Sequence, residues 1–420
     1  MNSKFEKLHT TFRNHVQNPL YKNSYYLILN SIIGSALGFL FWTIAARNYT
    51  ANDVGLATAI FSAIGLLTTI SKFGLDISII KYLPMYETKN DVVNLSLSIP
   101  LIISVVLAIL YVLGVNYWTP NLSILLNWKY GSLFLIFTCA YTLYALQNNI
   151  YIAERKAKMT FLLSTFWAAL KILLLVMLSS LGLFGIFNSW GLATTLSTVI
   201  GFIILSKSMN NYKPLVVIKK ELVKKMMNYS FGNYIASFLF SAPALVIPIF
   251  LSNINPEMSA YFYISWMIAG LIYSITGLIN MSLFAECSHN SDNLRPGIIS
   301  VLKFTFLILV PSTIGIVYFG NLILSFFGED YSENAYGLLV LLIIASFPYT
   351  TNQVFITINR VKMKVLPILY LNAFIAMCVF ILIYVLINEM GLISVGIGWL
   401  IAQIMGAGIA SIYTYRVYLS

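Results

Sequence analysis

The chain has 420 residues, of which 59% are hydrophobic and only 9% are charged, with a mean hydropathy of +0.84 and a net charge of +11. A soluble protein of this length needs a charged surface that this composition does not supply, so a soluble globular class is excluded. The three cysteines, Cys139, Cys287 and Cys378, are too far apart for a disulfide framework or a zinc site. The sequence predicts neither a metal nor a cofactor.

Twelve apolar stretches follow one another along the chain. About 20 apolar residues cross a bilayer core of ~30 Å because a helix rises 1.5 Å per residue. Backbone amides inside lipid must be hydrogen-bonded internally, so we expect these stretches to be helices. They cover roughly 24–46, 54–80, 94–115, 130–152, 160–181, 186–206, 229–251, 259–283, 298–320, 334–357, 366–388 and 391–415.

The basic residues fall in alternate connections between these stretches. With the N-terminus placed inside, the inner connections hold clusters of basic residues, as at 155–158 and 360–364. The only basic residues in the outer connections are Arg47 and Lys129. This asymmetry follows the positive-inside rule and predicts a multi-pass protein of the cell membrane with cytoplasmic N- and C-termini. The net charge then reflects topology, and no nucleic-acid partner is predicted.

The longest inner connection, 207–228, divides the stretches into six and six. Its lysines are interleaved with leucine, valine and isoleucine, which predicts a basic amphipathic helix on the anionic membrane surface. We therefore predict an N-terminal lobe over 1–206 with a basic cytoplasmic N-terminus, a linker over 207–228 and a C-terminal lobe over 229–420.

The two halves are related by an ungapped shift of 205 residues. The shift superimposes the six stretches of each half and aligns Tyr144 with Tyr349, Gly191 with Gly396, and Gln147-Asn148 with Asn352-Gln353. The predicted fold is an all-α integral membrane protein of about 12 transmembrane helices in two pseudo-symmetric six-helix lobes around a central cleft. Such lobes can alternate access to the two sides of a membrane.

Two segments resemble a known family. One covers 41–84 and contains Asp-Val-Gly at Asp53–Gly55 and Phe-Gly-Leu at Phe73–Leu75; the other covers 323–362 and contains Phe-Gly-Glu-Asp-Tyr at 327–331. Both resemble the O-antigen-flippase-like polysaccharide biosynthesis and export flippases of the multidrug/oligosaccharidyl-lipid/polysaccharide exporter superfamily. Related peptidoglycan-precursor flippases carry an arginine-rich cavity near their first two helices. Here the first stretch has no charge before Arg47, so no ligand residue is transferred by motif.

The resemblance implies a transporter and not an enzyme. Its cargo is expected to be an oligosaccharide linked to a polyprenyl-phosphate type lipid, flipped from the cytoplasmic to the outer leaflet by alternating access for cell-surface polysaccharide assembly. The implied partners are this lipid-linked oligosaccharide, membrane lipids and other polysaccharide-assembly proteins.

Charged residues inside apolar stretches are the candidate site residues, because a charge at mid-bilayer costs ~3 kcal/mol or more. Lys171, near the middle of the fifth stretch, is the main candidate to bind a cargo phosphate; the alternative is a lysine bonded to neighbouring carbonyls. Lys72 and Asp76 lie four residues apart, hence on one face of the second predicted helix. Lys72 is a substrate-binding candidate and Asp76 a candidate for gating or for H⁺ or Na⁺ coupling, unless the pair only neutralises itself. Arg47 is a candidate at the outer mouth, where a solvated charge is the alternative.

Two other functions stay open at this point. An ion-coupled exporter of drugs or small molecules would use the same fold and depend on a buried carboxylate, for which Asp76 is the candidate. A membrane polysaccharide polymerase or glycosyltransferase would need acid–base groups in large outer loops, whereas the longest outer loops here, 116–129 and 320–333, are short. A Gly-x-x-x-x-Gly-Lys-Ser/Thr motif does not occur, so ATP hydrolysis by this chain is not predicted.

Overall fold

The computed structural model describes residues 19–209, 212–217, 219–289 and 294–419, and within these ranges the regular structure is helical. Short 3₁₀ helices connect some of the longer ones, at Leu83–Met85, Pro120–Leu126 and Ser179–Leu181. The α-helices of the described residues are, in chain order, α1 Pro19–Asn48, α2 Ala51–Lys72, α3 Leu75–Tyr82, α4 Lys89–Leu113, α5 Val115–Trp118, α6 Trp128–Ala153, α7 Ala157–Met177, α8 Leu183–Ser208, α9 Lys220–Ile254, α10 Pro256–His289, α11 Leu294–Ser325, α12 Glu329–Ile344, α13 Ser346–Val361, α14 Val365–Met390 and α15 Ile393–Thr414.

Ten helices in the described ranges are long and apolar enough to cross a membrane by length and composition. Two bent pairs bring the number to 12 if each pair is one span: Pro120–Leu126 with α6, bent by 97°, and α12 with α13, bent by 41°. The prediction of an all-α membrane protein with about 12 spans is therefore confirmed.

The second predicted stretch is not one helix. α2 ends at Lys72, Phe73 and Gly74 have φ angles of 47° and 82°, and α3 begins at Leu75. A left-handed conformation cannot continue a right-handed helix and is readily adopted only by glycine. The prediction that Lys72 and Asp76 share a face of one continuous helix is wrong, because a helix break separates them.

The linker between the halves is not helical where the sequence suggested it would be. Residues 212–217 have no regular secondary structure, and helix begins only at Lys220. Side chains of α4 bind this backbone: Asn94 Nδ2 donates to the Lys213 carbonyl at 3.0 Å, and the Val217 amide donates to Ser98 Oγ at 3.3 Å. These bonds replace the ones a helix would make, so 212–217 forms a strap on α4. Tyr212, the first residue of the strap, is buried, and this burial raises the pKa of its hydroxyl to about 12.

The Asp-Val-Gly motif opens α2. Thr50 Oγ1 donates to Asp53 Oδ2 at 2.9 Å, and the Asp53 amide donates back to Thr50 Oγ1 at 3.1 Å. The Thr50 hydroxyl thus caps the Asp53 amide, one of the free amides at the N-terminus of the helix, and the Asp53 carboxylate holds that hydroxyl in place. A Cβ at Gly55 would overlap the Pro256 carbonyl, so the motif combines a helix cap with a close backbone approach.

The Phe-Gly-Glu-Asp-Tyr motif opens another helix. Gly328 precedes α12 with a φ of 143° and a ψ of 162°, a conformation that is essentially restricted to glycine. Tyr331 is buried and packs edge-on against Tyr261, with ring centroids 5.2 Å apart. Both motifs with Phe-Gly therefore mark turns between helices.

Contacts divide the chain into two compact units. The first contains the described residues up to Asn48 together with Leu67–Phe231, and the second contains Tyr49–Leu66 together with the described residues from Gly232 onward. Of the three boundaries, one falls between α1 and α2, one inside α2 and one inside α9. In the first unit a large apolar core joins α3, α4, α6 and α8 to the beginning of α9. The lobe boundaries predicted from the sequence, at 206 and 229, were placed by the repeat and differ from the boundaries that the contacts give. They stay a prediction.

A hydrogen bond recurs at the repeat spacing. Gln147 Nε2 of α6 donates to the Thr198 carbonyl of α8 at 3.1 Å. Asn352 Nδ2 of α13 donates to the Gln403 carbonyl of α15, also at 3.1 Å. The two donors are 205 residues apart in the sequence, and so are the two acceptors. The 205-residue shift read from the sequence therefore relates equivalent hydrogen bonds in the two units.

Candidate functional site: a buried lysine on aromatic rings

Lys171 lies on α7 with 6% of its surface exposed. Its Nζ is 4.1 Å from the centroid of the Trp167 ring and 4.7 Å from that of the Phe41 ring. Trp167 is one turn earlier on the same face of α7, and Phe41 comes from α1. A cation over a ring face is attracted by the ring quadrupole, and the attraction is stronger where water is excluded.

No described carboxylate lies within ion-pair distance of Lys171. Four other lysines of the first unit are paired with carboxylates: Lys72 with Asp76, Lys89 and Lys156 with Glu154, and Lys219 with Asp91. The Lys171 ammonium group also has no hydrogen-bond acceptor among the described residues. The alternative, in which this group bonds to neighbouring carbonyls, is therefore not observed. A buried cation compensated only by aromatic rings retains much of its capacity to attract an anion.

The ring beneath Lys171 is held in place by its neighbours. Trp167 Nε1 donates to Thr194 Oγ1 of α8 at 3.0 Å. The Trp167 ring lies 5.6 Å from the Tyr144 ring and 6.4 Å from the Trp190 ring, measured between centroids. These contacts fix the indole ring against which the ammonium group packs, so the geometry of this site is set by four helices of the first unit, α1, α6, α7 and α8.

Lys72 and Asp76 are brought together, but away from this site. Lys72 Nζ and Asp76 Oδ2 are 3.0 Å apart across the break between α2 and α3. Asp76 Oδ1 also accepts from the Ile77 amide at 3.0 Å. The carboxylate is therefore already compensated, and neither residue contacts Lys171.

Arg47 is exposed in the last turn of α1. It lies six residues beyond Phe41, about 9 Å along the helix axis. Arg47 is exposed whereas Lys171 is buried, and Lys72 is paired with Asp76, so the three proposed substrate-binding cations stand in different environments.

Sequence reasoning missed Phe41 and Trp167. The spacing of four residues between Trp167 and Lys171 was a usable signal, since it places an aromatic ring beside an intramembrane cation on one helix face. For Phe41 no signal was available, because its contact depends on how α1 packs against α7.

In the second unit, the matching helices line a small, partly open cavity of about 20 Å³, enough for about one water molecule. Asn352 Nδ2 also donates to Gln403 Oε1 at 2.8 Å, whereas Asn352 Oδ1 is buried with no hydrogen-bond partner among the described residues. The 205-residue shift places Lys171 on Ala376, which lines this cavity. The lining residues are mainly amide and aromatic: Phe240, Tyr349, Asn352, Gln353, Asn372, Trp399 and Gln403.

The model of a family described as "Polysaccharide biosynthesis protein" matches residues 20–285, which is more than half of the chain. The chain belongs to the polysaccharide biosynthesis protein family. The resemblance noted on sequence motifs is thereby confirmed. No curated protein matches this chain significantly.

Solved structures share the fold of this polysaccharide biosynthesis family protein at low sequence identity. The lipid II flippase MurJ in an inward closed conformation aligns with a TM-score of 0.73 and 16% identity over 93% of this chain and 88% of MurJ. An inward-facing multidrug resistance MATE family transporter of the MOP superfamily gives 0.69 and 15% over 93% and 97%. A MOP superfamily transporter from Pyrococcus furiosus gives 0.64 and 15% over 95% of both chains. The chain thus has the two-lobe fold of the MOP superfamily transporters.

Proposed function

We propose that this protein is a flippase for an oligosaccharide linked to a polyprenyl-phosphate type lipid, moved from the cytoplasmic to the outer leaflet by alternating access. The observation that carries the proposal is Lys171, a buried cation on Trp167 and Phe41 without a carboxylate partner among the described residues. Lys171 is assigned to the phosphate of the cargo.

The physical demands of that cargo fit such a site. The phosphate is anionic and must cross a region where charge is costly, while the polyprenyl tail can stay in lipid. A lysine ammonium is a compact positive charge that binds phosphate without requiring one orientation. Membership in the polysaccharide biosynthesis family supports a glycan as the group that the phosphate carries.

We place the protein in the cell membrane with both termini in the cytoplasm. The support is the excess of lysine and arginine in alternate connections. The proposed partners are the lipid-linked oligosaccharide, membrane lipids and other polysaccharide-assembly proteins.

An ion-coupled exporter of small molecules is the second candidate. Its support is the fold shared with multidrug resistance MATE transporters. It would use Asp76 as the coupling group, yet this carboxylate is paired with Lys72 at 3.0 Å, so a coupling ion would have to compete with an internal counter-ion. A polysaccharide polymerase or glycosyltransferase has less support, because the fold neighbours are transporters.

The decisive experiment measures lipid-linked glycan in each leaflet of a strain that lacks this gene and any redundant flippase. We expect outer-leaflet glycan lipid to fall below detection while the total pool rises, and plasmid-borne wild-type protein to restore delivery. Unchanged outer-leaflet glycan lipid in the deletion strain would refute the flippase. Loss of drug efflux in that same strain would favour the exporter, and loss of polymer with normal flipping would favour an enzyme.

A further inference from the structure

Two lysines of the first unit sit on a connected surface of three tyrosines. Lys81 Nζ is 3.5 Å from the Tyr229 ring centroid and 5.6 Å from that of Tyr82. Lys225 Nζ is 5.8 Å from the Tyr82 centroid and 5.3 Å from that of Tyr86. Both ammonium groups thus share the Tyr82 ring. We name these five residues the tyrosine platform.

The platform is built on a packed core. Tyr82 is largely buried and meets the rings of Tyr86 and Tyr229 edge-on, at 6.2 and 5.7 Å between centroids. Ser78 Oγ of α3 donates to the Met226 carbonyl of α9 at 2.7 Å. The end of α3 and the start of α9 are therefore fixed to each other within the first unit, and the two lysines project from an ordered base.

The platform carries charge that is not compensated. Lys81 and Lys225 are exposed, and neither forms an ion pair with a carboxylate in the described part of the chain. By contrast, lysines 72, 89, 156 and 219 of the same unit each form an ion pair with a carboxylate. Both ammonium groups lie within 6 Å of the Tyr82 ring centroid, at 5.6 and 5.8 Å, so an anion bound at the platform would interact with two positive charges.

The length of α9 indicates the depth of the platform in the membrane. Its 35 residues span about 52 Å, whereas a bilayer core needs only ~30 Å. The N-terminal turns of α9 contain Lys220, Lys224 and Lys225 and cannot lie in hydrocarbon, so the excess length extends from this end. Tyrosine is enriched at the level of lipid headgroups, which places the platform at the depth where lipid phosphates occur.

We propose that the tyrosine platform binds the phosphate group of a membrane lipid. Lys81 and Lys225 supply two positive charges, and the phenol hydroxyls of Tyr86 and Tyr229 can donate to further phosphate oxygens. The site shares no residue with the Lys171 site and stands whether or not the chain is a flippase. Two sources carry this chemistry, namely a bulk anionic phospholipid and the polyprenyl phosphate of a cargo.

The test counts lipids retained by the full-length protein in neutral detergent, using native mass spectrometry. The probes are phosphatidylglycerol, a short-chain polyprenyl diphosphate and, as a lipid without phosphate, diacylglycerol. Wild-type protein is compared with the double variant Lys81→Ala/Lys225→Ala and with Lys220→Ala/Lys224→Ala, which removes the same charge from exposed positions off the platform.

We expect wild-type protein to retain at least one of the two phosphate lipids and not diacylglycerol. The platform variant should lose about tenfold in apparent affinity, and the control variant less than twofold. Lys81→Arg/Lys225→Arg should restore binding, which separates loss of charge from misfolding. Tighter retention of the diphosphate assigns the site to a polyprenyl phosphate, and tighter or equal retention of phosphatidylglycerol assigns it to bulk lipid. Equal losses in the two double alanine variants, or retention of neither phosphate lipid, would overturn the proposal.

Discussion

The two repeat halves carry different chemistry on matching helices. In the first, Lys171 rests on Trp167 beside Tyr144, and in the second, the equivalent helices line a cavity with buried Asn352 and Gln403. The hydrogen bond that Gln147 makes to the neighbouring helix recurs at Asn352, so the two halves share this packing of helices. The charge of Lys171 is present in the first half only, because Ala376 occupies the equivalent position. The cation is therefore not required by the scaffold.

This contrast supports a functional reason for Lys171. A mid-membrane ammonium group lowers stability, whereas amides can satisfy one another inside a protein. The second copy satisfies most of its polar groups internally, and the first keeps an expensive charge without a counter-ion among the described residues. Three variant pairs test how far the two copies differ.

The largest effect is expected at Lys171. Lys171→Met keeps the length of the side chain and removes the charge, and we expect outer-leaflet delivery of lipid-linked glycan to fall about 100-fold, because ~3 kcal/mol of phosphate binding is lost. The same variant should unfold at a higher temperature in detergent, since a desolvated charge is removed.

Lys303→Met is the matched control, because Lys303 is an exposed lysine of the apolar helix α11. It should leave delivery unchanged. Normal delivery by Lys171→Met, or an equal loss in both variants, would contradict the assignment of Lys171.

The Phe-Gly motifs offer an intermediate test with one glycine in each half. Gly74 has a φ of 82° and a ψ of 2°, which alanine adopts at a cost of about 1 kcal/mol. Gly328 has a φ of 143° and a ψ of 162°, where we expect alanine to cost about 3 kcal/mol. Thermal unfolding of Gly74→Ala and Gly328→Ala in the same detergent should rank them in that order. The reverse order would mean that the two turns do not have the conformations described.

The smallest effect is expected at the recurring amide. Asn352→Leu removes hydrogen bonds to both the carbonyl and the Oε1 of Gln403 and should cost about 2 kcal/mol of unfolding free energy. Gln147→Leu removes the bond to the Thr198 carbonyl and should cost about 1 kcal/mol. Denaturant titration of the two variants measures the difference. Equal costs would indicate that the second Asn352 bond contributes nothing.

The sequence was sufficient to predict the helices because length and hydropathy determine what can cross a bilayer. It did not reveal the break at Phe73 and Gly74, since a two-residue left-handed turn leaves an apolar run uninterrupted. It was misleading over 212–217. The lysines interleaved with apolar residues across 207–228 suggested a helix, but here the side chains of Asn94 and Ser98 bind the backbone and no helix forms. Competition between side chains and the backbone's own bonds depends on tertiary contacts.

The candidate site was predictable only in part. Lys171 could be selected because an intramembrane charge is rare, and its burial agrees with that selection. The ion pair between Lys72 and Asp76 was expected from their spacing on one helix. The pair is present, although a helix break lies between the two residues. Phe41 could not be found, because a contact between residues 130 positions apart requires the packing of α1 on α7.

The motifs that carry the family resemblance all lie at helix boundaries. Thr50 and Asp53 cap α2, Gly55 meets the Pro256 carbonyl, and the Phe-Gly pairs form turns before α3 and α12. For the classification of sequences this has a practical consequence. Searches based on these motifs detect features of the fold and not residues of the proposed cargo site. Under the proposed function, a grouping by cargo would compare the residues aligned with Lys171 and Ala376, where the two copies of this chain differ.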